Sequence, residues 1–284
     1  MRRADNWLVR LKIKVAVQRD CKRWRHCMAI KQACLLVIIG LITACSQTEE
    51  KFIYVEPAAV ELDRPAKDRA ETLTELGLAY YKLEKYKYAE ENLQRSLKLD
   101  KNNATTYQVF ALIRQRSKKP EQAQIYFDKA LKLEPDNYNI LTAYAVFLYE
   151  EQRHKEAIIE FNRIVNAPFY KKTWVAYSYL GLYDLENGEQ RPAEIKFYKA
   201  LQANPGYSLA LFETAKIRYA RGNMMSARAY IERYFSSTGK TLDGLELAIK
   251  IETALQTYDL VEEYQLELKR NFPFSEAAAK INSF

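Results

Sequence analysis

The chain has 284 residues, 48% of them hydrophobic, and only eight Gly and eight Pro, which is typical of an ordered protein built from long helices. The formal net charge of +8 belongs to residues 1–44, which contain ten Lys/Arg and two Asp/Glu. The other 34 Lys/Arg and 34 Asp/Glu cancel, so the body of the chain offers no basic footprint for nucleic acid. All four cysteines lie at or before position 45, which excludes an intrachain disulfide beyond it.

A ten-residue apolar run, residues 33–42, begins shortly after Lys31. It is too short to span a bilayer, but it suits the hydrophobic region of a secretory signal. The run ends in Ile42-Thr-Ala-Cys45, which resembles the cleavage box of bacterial lipoproteins. That resemblance implies lipidation of Cys45 as the first mature residue, and Ser46 in place of Asp favours the outer membrane. An ordinary signal peptide, or a core strand beside a cysteine, is the alternative.

The segment before Cys45 is unusually long for a signal. Met28-Ala-Ile-Lys31 forms a complete short n-region, so we predict a true start at Met28 and an upstream extension over residues 1–27. A genuine extended n-region is the alternative. Residues 45–69 mix charges with Pro57 and Pro65, and they predict a tether between the membrane and the folded body.

A repeated frame organises the rest of the chain. Ala123-x3-Phe127-x2-Ala130-x4-Pro135 returns 70 residues later at Ala193, Phe197, Ala200 and Pro205, which is two 34-residue periods plus two residues. Ala lets two helices approach closely, Phe fills the space one turn later, and Pro ends the helix. Because 34 is the period of the tetratricopeptide repeat (TPR), we predict an all-α TPR superhelical solenoid of about six helix–turn–helix repeats.

The solenoid is predicted over residues 70–284. Its repeats are 70–103, 104–137, 138–173, 174–207, 208–241 and 242–275. The third carries two extra residues, and the pattern decays in the last, as expected of a cap.

The residue types needed for catalysis do not occur together in a recognisable motif. His154 is the one histidine of the mature region and falls in a predicted turn, and no His/Cys cluster, Ser-His-Asp set or Gly-rich phosphate loop accompanies it. We therefore predict a non-enzymatic protein without a cofactor, a metal or a small-molecule substrate.

Function is instead predicted on the concave face, which first-helix positions 2, 5, 9 and 12 line in TPR proteins. The apolar residues at those positions form a predicted peptide-binding groove: Leu78, Tyr81, Leu112, Val146, Tyr149, Leu182, Leu185, Leu209, Phe212 and Tyr219. Four of them are predicted to form one continuous strip: Leu182, Leu185, Leu209 and Phe212. The alternative is that individual side chains only pack between neighbouring repeats.

Several motifs narrow the resemblance beyond TPR. Thr142-Ala-Tyr-Ala-Val-Phe-Leu148 resembles the Asn-Asn-Tyr-Gly-x-Phe-Leu stretch of the type IV pilus biogenesis lipoproteins, the PilW/PilF secretin pilotins. Pro168-Phe-Tyr170, Glu232-Arg-Tyr234 and Asn271-Phe-Pro-Phe-Ser-Glu276 are similar to further motifs of that family, and the resemblance covers about residues 45–284. A cysteine pair of many members appears here as Tyr149 and Tyr183, so stapling of repeats three and four is expected to be absent.

The resemblance implies a lipid-anchored protein on the periplasmic face of the outer membrane. There it is expected to bind secretin subunits or other pilus-assembly proteins and to promote secretin delivery or assembly. The alternative is a general periplasmic TPR adaptor in outer-membrane protein or envelope assembly.

Substitution of the predicted anchor provides the first test. Bilayer affinity grows by about 0.8 kcal/mol per buried CH₂, so two or three acyl chains on Cys45 are expected to hold the protein durably. Cys45→Ala is expected to block lipidation and lipoprotein-type cleavage and to release the protein from membranes, measured by fatty-acid labelling and fractionation. Processing and membrane partitioning like those of the parent would contradict the anchor.

Overall fold

The computed structural model describes residues 64–281, and Cys45 with the predicted signal lies outside this range. Within it every regular element is a helix, which confirms the all-α prediction. The helices are α1 Ala66–Lys82, α2 Tyr86–Leu99, α3 Ala104–Arg116, α4 Pro120–Leu133, α5 Tyr138–Glu150, α6 His154–Val165, α7 Trp174–Glu186, α8 Gln190–Ala203, α9 Ser208–Ala220, α10 Met224–Thr238, α11 Leu242–Ala254, α12 Tyr258–Asn271 and α13 Glu276–Ile281. None of these helices is long and apolar enough to cross a membrane.

Consecutive helices pair into six hairpins, and each hairpin packs on the next. The first helices of hairpins two to six begin where the predicted repeats begin: Ala104, Tyr138, Trp174, Ser208 and Leu242. Two features differ from the sequence prediction. Helix α1 begins at Ala66, inside the predicted tether, and the short helix α13 extends the cap beyond the sixth hairpin.

Close helix contact within each hairpin follows from small residues at one repeat position. The second helices of the first five repeats carry a fully buried alanine there: Ala89, Ala123, Ala157, Ala193 and Ala227. One turn later a large buried side chain fills the hairpin: Leu93, Phe127, Phe161, Phe197 and Ile231. At Gly77 a Cβ atom would lie 2.7 Å from the Leu93 side chain, so any larger residue would force the buried Leu93 to shift.

The turns inside the hairpins share one backbone conformation. Their residues with positive φ occupy the same repeat position: Glu84, Lys118, Gln152, Gly188, Gly222 and Gln256. Between hairpins, Glu134 and Asn204 precede proline in non-helical conformations, so α4 and α8 end just before them, as the frame predicts. His154, predicted in a turn, is the first residue of α6.

This alternation gives the solenoid two edges. Turns within hairpins form the intra-repeat edge, where Arg153 donates from Nη1 to Gln124 Oε1 of the preceding repeat at 2.6 Å. Connections between hairpins form the inter-repeat edge, where Arg163 donates from Nη2 to the Pro135 carbonyl at 2.9 Å and to Asp136. Because α1 is a first helix, it begins on the inter-repeat edge.

An aromatic cluster joins repeats three and four at the predicted cysteine-replacement positions. Tyr149 is buried, its ring centroid lies 5.1 Å from that of Tyr179, and its hydroxyl donates to Glu186 Oε1 at 2.6 Å. His154 stacks on Tyr149 at 4.5 Å, contacts Tyr183 at 6.2 Å and places Nδ1 3.0 Å from Glu186 Oε2. Burial, with the Glu186 contact, raises the pKa of Tyr149. Positions 149 and 183 are tyrosines, so no disulfide staples these repeats, and non-covalent contacts connect them instead.

Truncation of Phe127 tests the nearest-neighbour packing. Phe127 is fully buried, and its ring lies 5.5 Å from Tyr144 and 5.2 Å from Phe147 of repeat three. Phe127→Ala is expected to lower the free energy of unfolding by about 3–5 kcal/mol. Hydrogen exchange should accelerate first in repeats one to three, whereas the matched variant Phe197→Ala should loosen the later repeats. Uniform loosening by both variants would contradict this.

Removal of one hydroxyl tests the aromatic cluster. Tyr149→Phe deletes the hydrogen bond to Glu186 while it keeps the ring contacts, so the free energy of unfolding is expected to fall by about 1 kcal/mol. Chemical denaturation measures the difference. Tyr183→Phe, which leaves the Glu186 contact intact, is the control and should remain close to the parent. Equal stability of parent and Tyr149→Phe would show that the bond contributes nothing.

Candidate functional site

First helices of repeats one to three line a concavity of about 530 Å³, which we call the N-terminal groove. Its apolar floor combines Tyr81, Leu112, Ala143 and Val146. Its remaining lining residues are polar or charged: Gln115, Arg116, Lys118, Asn139, Thr142 and Glu150. Three of the predicted groove residues, Tyr81, Leu112 and Val146, therefore share one surface.

Charges of both signs border this groove. A hydrogen bond from Arg116 to Tyr81 holds the pKa of Arg116 above its usual value, so a cation is fixed at the groove wall. Gln115 Nε2 donates a hydrogen bond to Glu150 Oε2 at 2.6 Å, so one oxygen of the Glu150 carboxylate already has a partner within the groove. Lys118 is exposed, and no ion pair engages it within residues 64–281. The groove therefore offers apolar contact beside two cations.

A second concavity, of about 400 Å³, lies between repeats four, five and six, and we call it the C-terminal groove. Leu185, Ile217, Tyr219 and Leu247 supply its apolar lining. Among its charged residues, Lys216 Nζ lies 2.9 and 3.0 Å from the two oxygens of buried Glu213, which neutralises both groups. Leu185 and Tyr219 are the predicted groove residues found here.

The other five predicted groove residues lie elsewhere. Leu78 and Leu182 are half-buried against core clusters, Leu209 is half-buried outside both grooves, and Tyr149 is buried. The Phe212 ring packs 5.1 Å from Tyr234 of the second helix in its own repeat. The predicted continuous strip is thus divided, because Phe212 and Leu182 turn toward packed neighbours while Leu185 lines the C-terminal groove.

The sequence analysis missed a polar concavity of about 540 Å³ under the first two repeats. Its lining includes one lysine, Lys67, and four carboxylates: Glu71, Glu75, Asp100 and Glu134. Lys67, Glu71 and Glu75 lie on one face of α1, whereas Asp100 follows α2 and Glu134 follows α4, so stacking of the repeats brings the carboxylates of the three elements together. No group of three or more His, Cys, Asp or Glu side chains within the described range has the arrangement of a metal site.

Comparisons with known proteins agree with this architecture. Sequence models of the tetratricopeptide repeat match residues 70–103 and 115–168. No curated protein sequence matches the chain. The fold is similar to Pseudomonas aeruginosa PilF, with a TM-score of 0.67 and 24% identity over 78% of this chain and 99% of PilF.

Two further solved structures share the fold. PilW, described as a widely conserved type IV pilus biogenesis factor, gives a TM-score of 0.63 and 28% identity over 75% of this chain and 97% of PilW. The Cut9–Hcn1 assembly of APC/C gives 0.65 at 13% identity over 77% of this chain and 42% of that one. The chain therefore contains tetratricopeptide repeats, and its solenoid is similar to nearly the whole length of PilF and PilW.

Proposed function

We propose that the chain is a type IV pilus biogenesis factor that acts as a lipid-anchored adaptor on the periplasmic face of the outer membrane. The observation that carries the proposal is the likeness to PilW, at 28% identity over 97% of that chain. In this proposal an acylated Cys45 holds the solenoid, and the solenoid binds a segment of a secretin subunit or another pilus-assembly protein. The protein then promotes delivery or assembly of that partner, without covalent chemistry.

The N-terminal groove is the proposed partner-binding surface. The apolar floor can accept apolar side chains of an extended or helical segment, while Arg116 lies at the wall beside Tyr81. Lys118 and Arg116 favour an acidic side chain or a terminal carboxylate at that end of the segment. Burial of apolar anchors supplies most of the binding free energy in such surfaces, and the charged rim contributes specificity.

Anchoring increases the effect of a modest groove affinity. A tethered groove and a partner at the same membrane meet at a raised effective concentration, so binding is favoured without further contacts. A soluble variant lacking the anchor would keep its groove and lose this gain. The lipid anchor and the groove therefore have separate, measurable roles in the proposed function.

A charge placed on the groove floor tests the assignment. Val146→Asp is expected to weaken partner binding more than tenfold, because it puts a desolvated carboxylate among the apolar contacts. The measurement is quantitative capture of the secretin by the full-length protein from detergent-solubilised envelopes. Ile159→Asp is the matched control, since Ile159 is an exposed aliphatic residue of the same repeat, 67% accessible on α6.

The thermal midpoint of each variant separates a binding effect from unfolding. A folded Val146→Asp protein that still captures the secretin like the parent would move the site away from this groove. Gene deletion supplies the cellular test, in which the proposal requires loss of pili with an unchanged set of outer-membrane proteins. A general loss of outer-membrane proteins would instead indicate a broad envelope-assembly role.

A further inference from the structure

The connection between α6 and α7, residues 166–173, presents an aromatic ring to solvent, and we call it the Phe169 loop. The Phe169 residue is 99% exposed. Its φ of +66° lies in the left-handed region, which aromatic residues rarely adopt. The other residues with such a φ occupy the shared turn position of the hairpins or Gly239 at the end of α10, so Phe169 stands apart from the repeat geometry.

The residues beside Phe169 hold the loop in place. Tyr170 packs its ring 5.4 Å from Tyr138, and its hydroxyl lies 3.3 Å from Asn139 Oδ1. On the other side, the Ala167 amide donates to the Ile164 carbonyl at 3.2 Å. The chain therefore fixes both ends of the turn while the Phe169 side chain points away from the solenoid.

Two cations follow the exposed ring. Lys171 and Lys172 are both exposed, and neither has an ion pair within residues 64–281. An ion pair on the same edge, Arg163 with Asp136 at 2.8 Å, involves neither lysine. An exposed aromatic ring beside free lysines is the combination that binds the interface of an anionic bilayer.

The position of the loop fits a membrane contact. It lies on the inter-repeat edge, and α1 begins on that same edge at Ala66. The described part of the chain therefore begins on the same edge as the Phe169 loop. The 20 residues 45–64 can span at most roughly 70 Å when extended, which leaves the loop within reach of the bilayer.

We propose that the Phe169 loop is a second membrane contact, in which Phe169 enters the bilayer interface and Lys171 and Lys172 bind anionic lipid headgroups. This inference rests on the proposed lipid anchor, which brings the loop to the membrane. A protein partner is less suited to this loop. A protein partner would have to supply the whole pocket for Phe169, because the residue is 99% exposed, whereas the bilayer interface needs no preformed pocket.

A tryptophan at the tip of the loop reports its depth. The full-length lipidated protein carrying Phe169→Trp is bound to vesicles of phosphatidylethanolamine and phosphatidylglycerol with brominated acyl chains, which quench indole fluorescence within the bilayer. The expected result is at least twofold loss of the emission contributed by the new side chain. Phe274→Trp is the matched control, because Phe274 is equally exposed in another connection of the same edge but is followed by exposed Glu276. Trp174 is common to both variants.

Charge reversal tests the role of the lysines. Addition of Lys171→Glu and Lys172→Glu to the Phe169→Trp protein is expected to abolish the quenching without changing the thermal midpoint. Vesicles of brominated phosphatidylcholine alone should also give little quenching, since they lack anionic headgroups. Equal quenching on both lipid compositions would overturn the assigned role of Lys171 and Lys172.

Co-sedimentation with the vesicles distinguishes failure of the loop from failure of the anchor. A protein that co-sediments through its acyl chains while Phe169→Trp emits like Phe274→Trp would overturn the loop proposal and leave the anchor intact. In that case, reduced secretin capture by Phe169→Ala would assign the loop to a protein partner. Absence of co-sedimentation by every variant would overturn both the anchor and the membrane contact.

Discussion

Close approach of the two helices within each repeat is the constraint on which the rest of the structure depends. Gly181 shows it most directly, because a Cβ atom there would lie 2.9 Å from the Phe197 ring. Small residues allow the helices to meet, and one large side chain then fills each hairpin. A single hairpin still exposes apolar surface, so the repeats must stack to bury it.

When the repeats stack, their first helices lie side by side and form a surface that can bind a partner. A continuous core runs through repeats two to four, and the first helices above it form the floor of the N-terminal groove. Leu112 and Val146 both contact that core and line the groove. Binding and packing therefore share side chains in this groove.

Departures from the repeat are concentrated around repeats three and four. Tyr149, His154 and Glu186 replace a regular inter-repeat contact with a polar and aromatic cluster. The two extra residues of the same region accompany the outward-facing Phe169. Irregularity in an otherwise consistent pattern is where specific function is expected, because a regular solenoid does not require it.

Residue patterns along the chain are enough to predict the fold class, the repeat period and the buried frame of small and large residues. These depend on residues near one another in the chain, so the 34-residue pattern predicts Ala123 and Phe127 in the core and the helix ends before Pro135 and Pro205. It also predicted Tyr81, Leu112 and Val146 on one concave surface, since equivalent positions of stacked first helices face the same way.

The exposure of the other predicted groove residues follows from packing between helices and is not predictable from the repeat pattern. Phe212 and Tyr149 occupy positions of the predicted groove pattern, yet Tyr234 and the Tyr179–Glu186 contacts draw them into packing. The acidic concavity likewise needs residues from separate helices to meet. A repeat pattern fixes the side of the helix on which a residue lies, whereas its exposure depends on the size and position of neighbours contributed by other helices and repeats.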